Sequence, residues 1–146
     1  MIKLQFQKLD PKAVIPEYQS ASASGFDFHC LEHVTIRKDE VVLVRTGLAA
    51  EIPEGFEIQV RARSGLAAKM GVFLVNGVGT IDADYRGEIK IILSTCLSEP
   101  VVLKPGDRIA QGVLARVDRA LIVEADALSL TDRGDGGFGS TGLRPS

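Results

Sequence analysis

The chain is built on alternation. Phe56, Ile58, Val60 and Ala62 interleave with Glu57, Gln59, Arg61 and Arg63, the period-two pattern of a strand with one face buried. Val41 to Arg45, Glu88 to Ser94, Ile109 to Val117 and Leu121 to Glu124 predict further strands, with more apolar content. In Ile89-Lys90-Ile91-Ile92-Leu93 the alternation partly fails, because Ile92 joins the other face. A strand apolar on both faces needs a second sheet or another subunit over it. Pro53-Glu54-Gly55 suits a type I turn, and Lys104-Pro105-Gly106-Asp107 a type II turn with glycine in the left-handed position. Many short strands with regular turns predict an all-β sandwich or barrel, of which the jelly roll is one form.

One segment reads as a helix. Ser64 is placed to cap it, Gly65 to Met70 supply one or two turns, and Gly71 closes it. An arginine and a serine at a helix start suit an anion, and they equally suit a plain strand-to-helix connector. From Thr131 the core periodicity stops. Asp132 to Gly142 is dominated by glycine and reads as a flexible tail in which Phe138 is the one aromatic ring. It lacks the Gly-Lys-Ser/Thr ending of a phosphate-binding Walker loop. Arg133-Gly134-Asp135 is too short a match to argue adhesion.

Composition narrows the possibilities. At 146 residues, 45% hydrophobic and 25% charged, the chain suits one domain with a real core. A net charge of -2 gives no basic footprint for nucleic acid, although a phosphorylated small molecule needs only a few local cations. No apolar run approaches a membrane span, and Met1 to Asp10 has no signal-peptide core, so neither membrane nor secretion is expected. Cys30 and Cys96 form no close motif and suit two free thiols in a reducing cytoplasm. His29, Cys30 and His33 suggest zinc at first sight. On one strand, however, the two histidines lie about 13 Å apart at roughly 3.3 Å per residue, too far to share a metal.

Asn76 to Gly87 is the most informative stretch. Its two close glycines permit a tight hairpin whose backbone can approach a flat ligand. Asp82 and Asp84 follow at strand spacing, pointing the same way, with Tyr85 opposite. A carboxylate beside a nucleotide pocket can act as a general base. The same acids could instead bond their own turn or an arginine.

Five segments in order resemble the five motifs of the trimeric dUTPase family: Ala23 to Phe28, Ala62 to Ala67, Asn76 to Gly87, Gly106 to Gln111, and Arg133 to Gly142. They span residues 23 to 142, and their joint order is far more specific than any one of them. The resemblance implies a jelly-roll-like β-subunit over residues 1–131, a tail over 132–146, and a homotrimer whose sites each draw on more than one chain. The implied reaction is hydrolysis of dUTP to dUMP, the precursor for thymidylate synthesis, and pyrophosphate. Asn76, Gly79, Thr80 and Ile81 would hold uracil, and Tyr85 would pack beneath the deoxyribose and exclude a 2′-hydroxyl. Asp82 would activate the water that attacks the α-phosphorus. Arg63, Ser64, Gly65 and Gln111 would contact phosphates. Asp27 would reach Mg2+ through water, with substrate phosphates as the direct ligands. From the tail, Phe138 and Gly139 would cover uracil, while Arg133, Ser140 and Thr141 hold the γ-phosphate.

Ala62 departs from the family's usual proline, and Phe26 and Phe28 from its tyrosine and leucine. These changes bear on packing rather than on chemistry. Two alternatives share the fold: a dCTP deaminase, and a regulatory trimer without activity.

Overall fold

The computed structural model describes residues 1–144; Pro145 and Ser146, at the end of the expected tail, lie outside the described residues. Eleven short strands and one helix follow one another along it. They are β1 (Gln5–Lys8), β2 (Phe26–His29), β3 (Val34–Ile36), β4 (Val42–Arg45), β5 (Leu48–Glu51), β6 (Phe56–Arg61), α1 (Ser64–Met70), β7 (Val72–Leu74), β8 (Gly79–Ile81), β9 (Lys90–Thr95), β10 (Val101–Leu103) and β11 (Arg108–Arg116). All pairings between these strands are antiparallel. A four-stranded sheet runs in the order β2-β11-β6-β8 and a three-stranded sheet in the order β4-β9-β7; β1-β5 and β10-β3 form two further pairs. This all-β arrangement with one short helix is the class that the alternation predicts.

The inward residues of these sheets make one core. Phe28, Ile36, Val44, Leu48, Ile58, Ile91, Leu93, Leu103 and Ile109 are wholly buried in it. At one end Phe6, Phe26, Phe28 and Tyr18 meet edge to face, with ring centroids 5.5–6.3 Å apart. Gly112 makes that cluster possible. A Cβ there would lie 2.7 Å from the Phe26 Cζ, so only glycine lets the ring cross β11. The phenylalanines at positions 26 and 28 therefore act in packing.

Several local expectations hold, and several do not. Gly106 (φ +88) and the Asp107 N–H to Lys104 O bond of 3.0 Å form the expected turn before β11. Gly71 (φ +58) closes α1 in the left-handed region. At Pro53-Glu54-Gly55 the turn is of the type II kind rather than type I, because its third residue, Gly55, takes φ +82. The residue before the helix is Arg63, in extended conformation and without a side-chain cap, so Ser64 is the first helical residue and not the cap.

β7 and β8 do not pair with each other. The turn at Asn76-Gly77 instead carries the chain from the three-stranded to the four-stranded sheet. β2 ends at His29, so the strand assumed through His33 is not formed.

Leu121 to Glu124 is not a strand. Leu121 and Ile122 are about nine-tenths exposed, at 89% and 92%. The alternation is present, but a strand needs a partner, and among the described residues this segment pairs with none. The doubly apolar strand has a matching consequence. Leu43 pairs with Ile92, and Leu43, Phe73 and Val75 stand exposed on the outer face of the β4-β9-β7 sheet. No helix among the described residues is long and apolar enough to cross a membrane.

Candidate active site

Two groups of expected site residues form, and they are distinct. The first sits where β2, β11 and the end of β6 meet. Register places Gln111 of β11 opposite Asp27 on one side and Arg61 on the other. Asp27 is nearly buried, and a buried carboxylate needs charged partners. It has two: Arg63 Nε lies 3.1 Å from one oxygen and Arg108 Nη1 3.5 Å from the other. Arg63 also donates from Nη1 to the Arg108 carbonyl at 3.2 Å, and Gln111 Nε2 donates to Ala62 O at 2.9 Å. These bonds hold the strand end that launches α1, where Ser64 and Gly65 are exposed.

Arg108 has no role in the sequence reading. The available signal was its place directly after the Gly106 turn, where β11 begins opposite β2. His29 borders this group; its Nδ1 is buried without a hydrogen-bond partner, and burial pushes its pKa down. Burial likewise pushes the Cys30 thiol up, and its Sγ bonds the Glu32 carbonyl at 2.9 Å.

The second group lines a pocket of about 470 Å³ beside β8. Asn76, Gly79, Thr80, Ile81, Asp82 and Tyr85 all border it, over an apolar floor that includes Val60, Leu74 and Ile91. β8 is the last strand of its sheet, so one edge of its backbone is open to read the edge of a planar ligand. Gly79 is required for that approach. A Cβ there would lie 3.1 Å from Val60 Cβ and 3.3 Å from Asn76 Nδ2.

Asp82 and Asp84 do not share a strand. β8 stops at Ile81, and the Tyr85 N–H bonds Asp82 O at 3.1 Å, closing a turn that projects Asp82 into solvent at the pocket mouth. A wider groove of about 1060 Å³ lies on the other side of Asp82. It is rimmed by Glu51, Glu54, Glu57, Asp82 and Asp84, against Lys3, Arg86 and Arg119. That excess of carboxylates repels a polyphosphate, so the smaller pocket is the better nucleotide site.

The two groups lie far apart within one chain. Val60 faces Gly79 across the β6-β8 pair. Arg63 lies three residues beyond Val60, and Asp82 three residues beyond Gly79 in the opposite direction, roughly 20 Å apart at about 3.3 Å per residue. The tail joins neither group. Among the described residues no hydrogen bond or ion pair ties 131–144 to the rest; its bonds are internal, such as Arg133 Nε to Gly136 O at 2.7 Å. Phe138 is fully exposed, with φ +50, and Gly139, Ser140 and Thr141 lie in the turns after it.

Fold and site together define a β-sandwich protein with a small pocket at an open strand edge and a separate arginine–carboxylate cluster suited to phosphates. The dUTPase family model matches residues 11–142, and the chain belongs to that family. A deoxyuridine 5'-triphosphate nucleotidohydrolase of Nautilia profundicola is 52% identical over 141 residues, covering 97% of this chain and 99% of that protein. One from Wolinella succinogenes is also 52% identical, covering 97% and 95%. Among solved structures, the Staphylococcus bacteriophage 80alpha dUTPase with dUpNHpp superposes with a TM-score of 0.86 at 25% identity, covering 97% of this chain and 99% of that one. A mutant dUTPase from phage phi11 of S. aureus, described with a structural Mg(II) ion, shares the fold at TM-score 0.78 and 22% identity, covering 86% and 97%.

Proposed function

We propose that this chain hydrolyses dUTP to dUMP and pyrophosphate in sites shared between subunits of a homotrimer. The observation that carries the reading is the pocket at the open edge of β8 with Asp82 at its mouth. Uracil lies against the β8 backbone and Asn76, and the Tyr85 ring supports the deoxyribose. The Asp82 carboxylate takes a proton from water while the water oxygen bonds to the α-phosphorus. The bond from that phosphorus to its bridging oxygen breaks, and pyrophosphate leaves. Such a reaction depends on positioning and on neutralising charge.

Arg63 is the chief phosphate ligand, because its planar donor fork matches phosphate oxygens. To reach them it exchanges Asp27 for phosphate, and Arg108 remains as the counter-charge to Asp27. Ser64, Gly65 and Gln111 complete the phosphate side. Magnesium fits here through the substrate. Asp27 is held by two guanidinium groups, and no cluster of three or more His, Cys, Asp or Glu side chains among the described residues is placed to hold a metal. Phosphate oxygens would be its direct ligands, with Asp27 reached through water. When bound, it neutralises part of the triphosphate charge.

Distance supports sharing between subunits. Arg63 and Asp82, roughly 20 Å apart along the strands, are poorly placed to serve one triphosphate from the same chain. The exposed face around Leu43 and the strap around Ile122 give neighbouring copies apolar surface to cover. The β-domain of residues 1–131 builds the body of the trimer. Residues 132–146 close over a site, with Phe138 on uracil, Gly139 beside it, and Arg133, Ser140 and Thr141 on the γ-phosphate. The two unpaired thiols, one of them buried, suit a cytoplasmic setting.

Purified protein with magnesium is expected to release pyrophosphate rapidly from dUTP and far more slowly from UTP and dCTP, measured by a coupled pyrophosphate assay. Intact dUTP would sink the enzyme reading, and ammonia released from dCTP would reassign the substrate. Sharing is tested separately. Arg63→Met and Asp82→Asn chains, each nearly inactive alone, are expected to regain activity when unfolded together and refolded as mixed trimers. Roughly a quarter of the sites then draw both intact residues, as random mixing in a symmetric ring requires. No recovery would place both residues in one chain's site.

A further inference from the structure

Tyr85 does not hold its place alone. A Cβ at position 87 would lie 2.6 Å from Tyr85 Cζ and 3.0 Å from Cε2, and nearer still to the hydroxyl. The ring therefore lies across the bare Gly87 backbone. Its hydroxyl donates to the Glu88 carbonyl at 3.0 Å. Glu88 is itself fastened to the core. Its carboxylate, only 16% exposed, accepts from Arg45 Nε at 3.1 and 3.3 Å and from the Gly47 N–H at 3.0 Å.

The next residue continues the attachment. Thr46 Oγ1 donates to the Ile89 carbonyl at 2.6 Å, and the Ile89 N–H donates to Leu48 O at 2.7 Å. Residues 88 and 89 are thus bonded along the whole β4–β5 junction. Gly47, at φ +69, fixes that junction, since a side chain there would press on Ala13 and Leu31.

We infer that Gly87 and Glu88 are specificity-positioning residues: they set the depth at which the Tyr85 ring meets the sugar, and through it the discrimination between deoxyribose and ribose. The inference rests on the reading of Tyr85 as the sugar support given above and adds what fixes it. A steric filter for one hydroxyl works only if the wall cannot retreat, because a ring free to move by an ångström admits the larger sugar. Gly87 supplies the space for the ring and the Glu88 carbonyl supplies the stop. The Glu88 carboxylate transmits the rigidity of β4 and β5 to that carbonyl.

Gly87→Ala tests this directly, because the obstructing atoms are the mobile end of a side chain and the ring can yield without loss of fold. The ratio of kcat/KM for dUTP to that for UTP is expected to fall by on the order of tenfold to a hundredfold. A rise in kcat/KM for UTP should carry most of the change, because the displaced ring no longer excludes the 2′-hydroxyl. General destabilisation would not change that ratio.

A second readout needs no activity. The chain has two tyrosines and no tryptophan, so in a Tyr18→Phe background tyrosine fluorescence reports Tyr85 alone. Gly87→Ala should change its intensity and its quenching by iodide. Tyr85→Phe, which removes only the hydroxyl anchor, should lower the ratio in the same sense by a smaller factor, and it decides the matter if Gly87→Ala does not fold. An unchanged substrate ratio in either variant, or unchanged fluorescence in Gly87→Ala, would overturn the inference. Failure of the unaltered protein to hydrolyse dUTP would instead remove the functional reading, while the fluorescence still tests the packing.

Discussion

Asp82→Asn is expected to bind dUTP and magnesium about as tightly as the unaltered protein while its turnover falls roughly 10²- to 10⁴-fold, the typical worth of a general base. The amide keeps the size of the carboxylate, so the pocket keeps its shape. Asp82 stands in solvent at the end of β8, and no ion pair binds it among the described residues. The substitution therefore breaks no buried network, and stability should not change measurably. Removing a negative charge beside a triphosphate also lessens repulsion, which opposes any loss of affinity. Calorimetric titration with dUTP and single-turnover pyrophosphate release separate the two quantities. Near-normal turnover would mean that another group activates the water.

Removal of residues 133–146 is expected to abolish most activity, on the order of a hundredfold in kcat/KM, and to leave assembly and melting temperature unchanged. The first half follows from losing the Phe138 ring and the cations of the tail, which in the proposed function orient a substrate otherwise open to water. The second half rests on the single chain, in which 131–144 make no hydrogen bond or ion pair to the β-domain among the described residues, so no polar tie of the fold goes with them. Light scattering and a thermal melt beside the kinetic assay check both halves. A dissociated or destabilised product would show that the tail is structural, and full activity would remove its role as a lid.

What the sequence makes legible is what is local. Alternation along Phe56 to Arg63 needs only neighbours, and it yields β6 to within two residues. The Gly71 and Gly106 positions need only a positive φ, and both are found. Pairing is non-local, so nothing in the sequence says that β7 and β8 join different sheets, nor that Asp27 meets Arg108 across 81 residues. Leu121 to Glu124 shows the same limit from the other side, since periodicity describes a face and cannot supply a partner edge.

The Asp82–Asp84 misreading has another cause. A turn bond from Tyr85 N–H to Asp82 O ends the strand, and no residue type there forbids extension. The proposed site residues themselves come from the resemblance. Gly87, Glu88 and Arg45 were missed because their work is to hold Tyr85 rather than to touch a ligand.

The distance between Arg63 and Asp82 has a genetic consequence. Under the proposed sharing, the two residues of one chain serve different sites, so a chain carrying both lesions would spoil two sites of its trimer, whereas the same lesions on two chains can fall within a single site and leave the others whole. Double mutants should therefore interfere with a normal copy more strongly than the two single mutants do together, and pairs of inactive alleles should complement. A gene encoding such a protein behaves less like a set of independent catalysts than like a circuit, in which the arrangement of faults matters as much as their number.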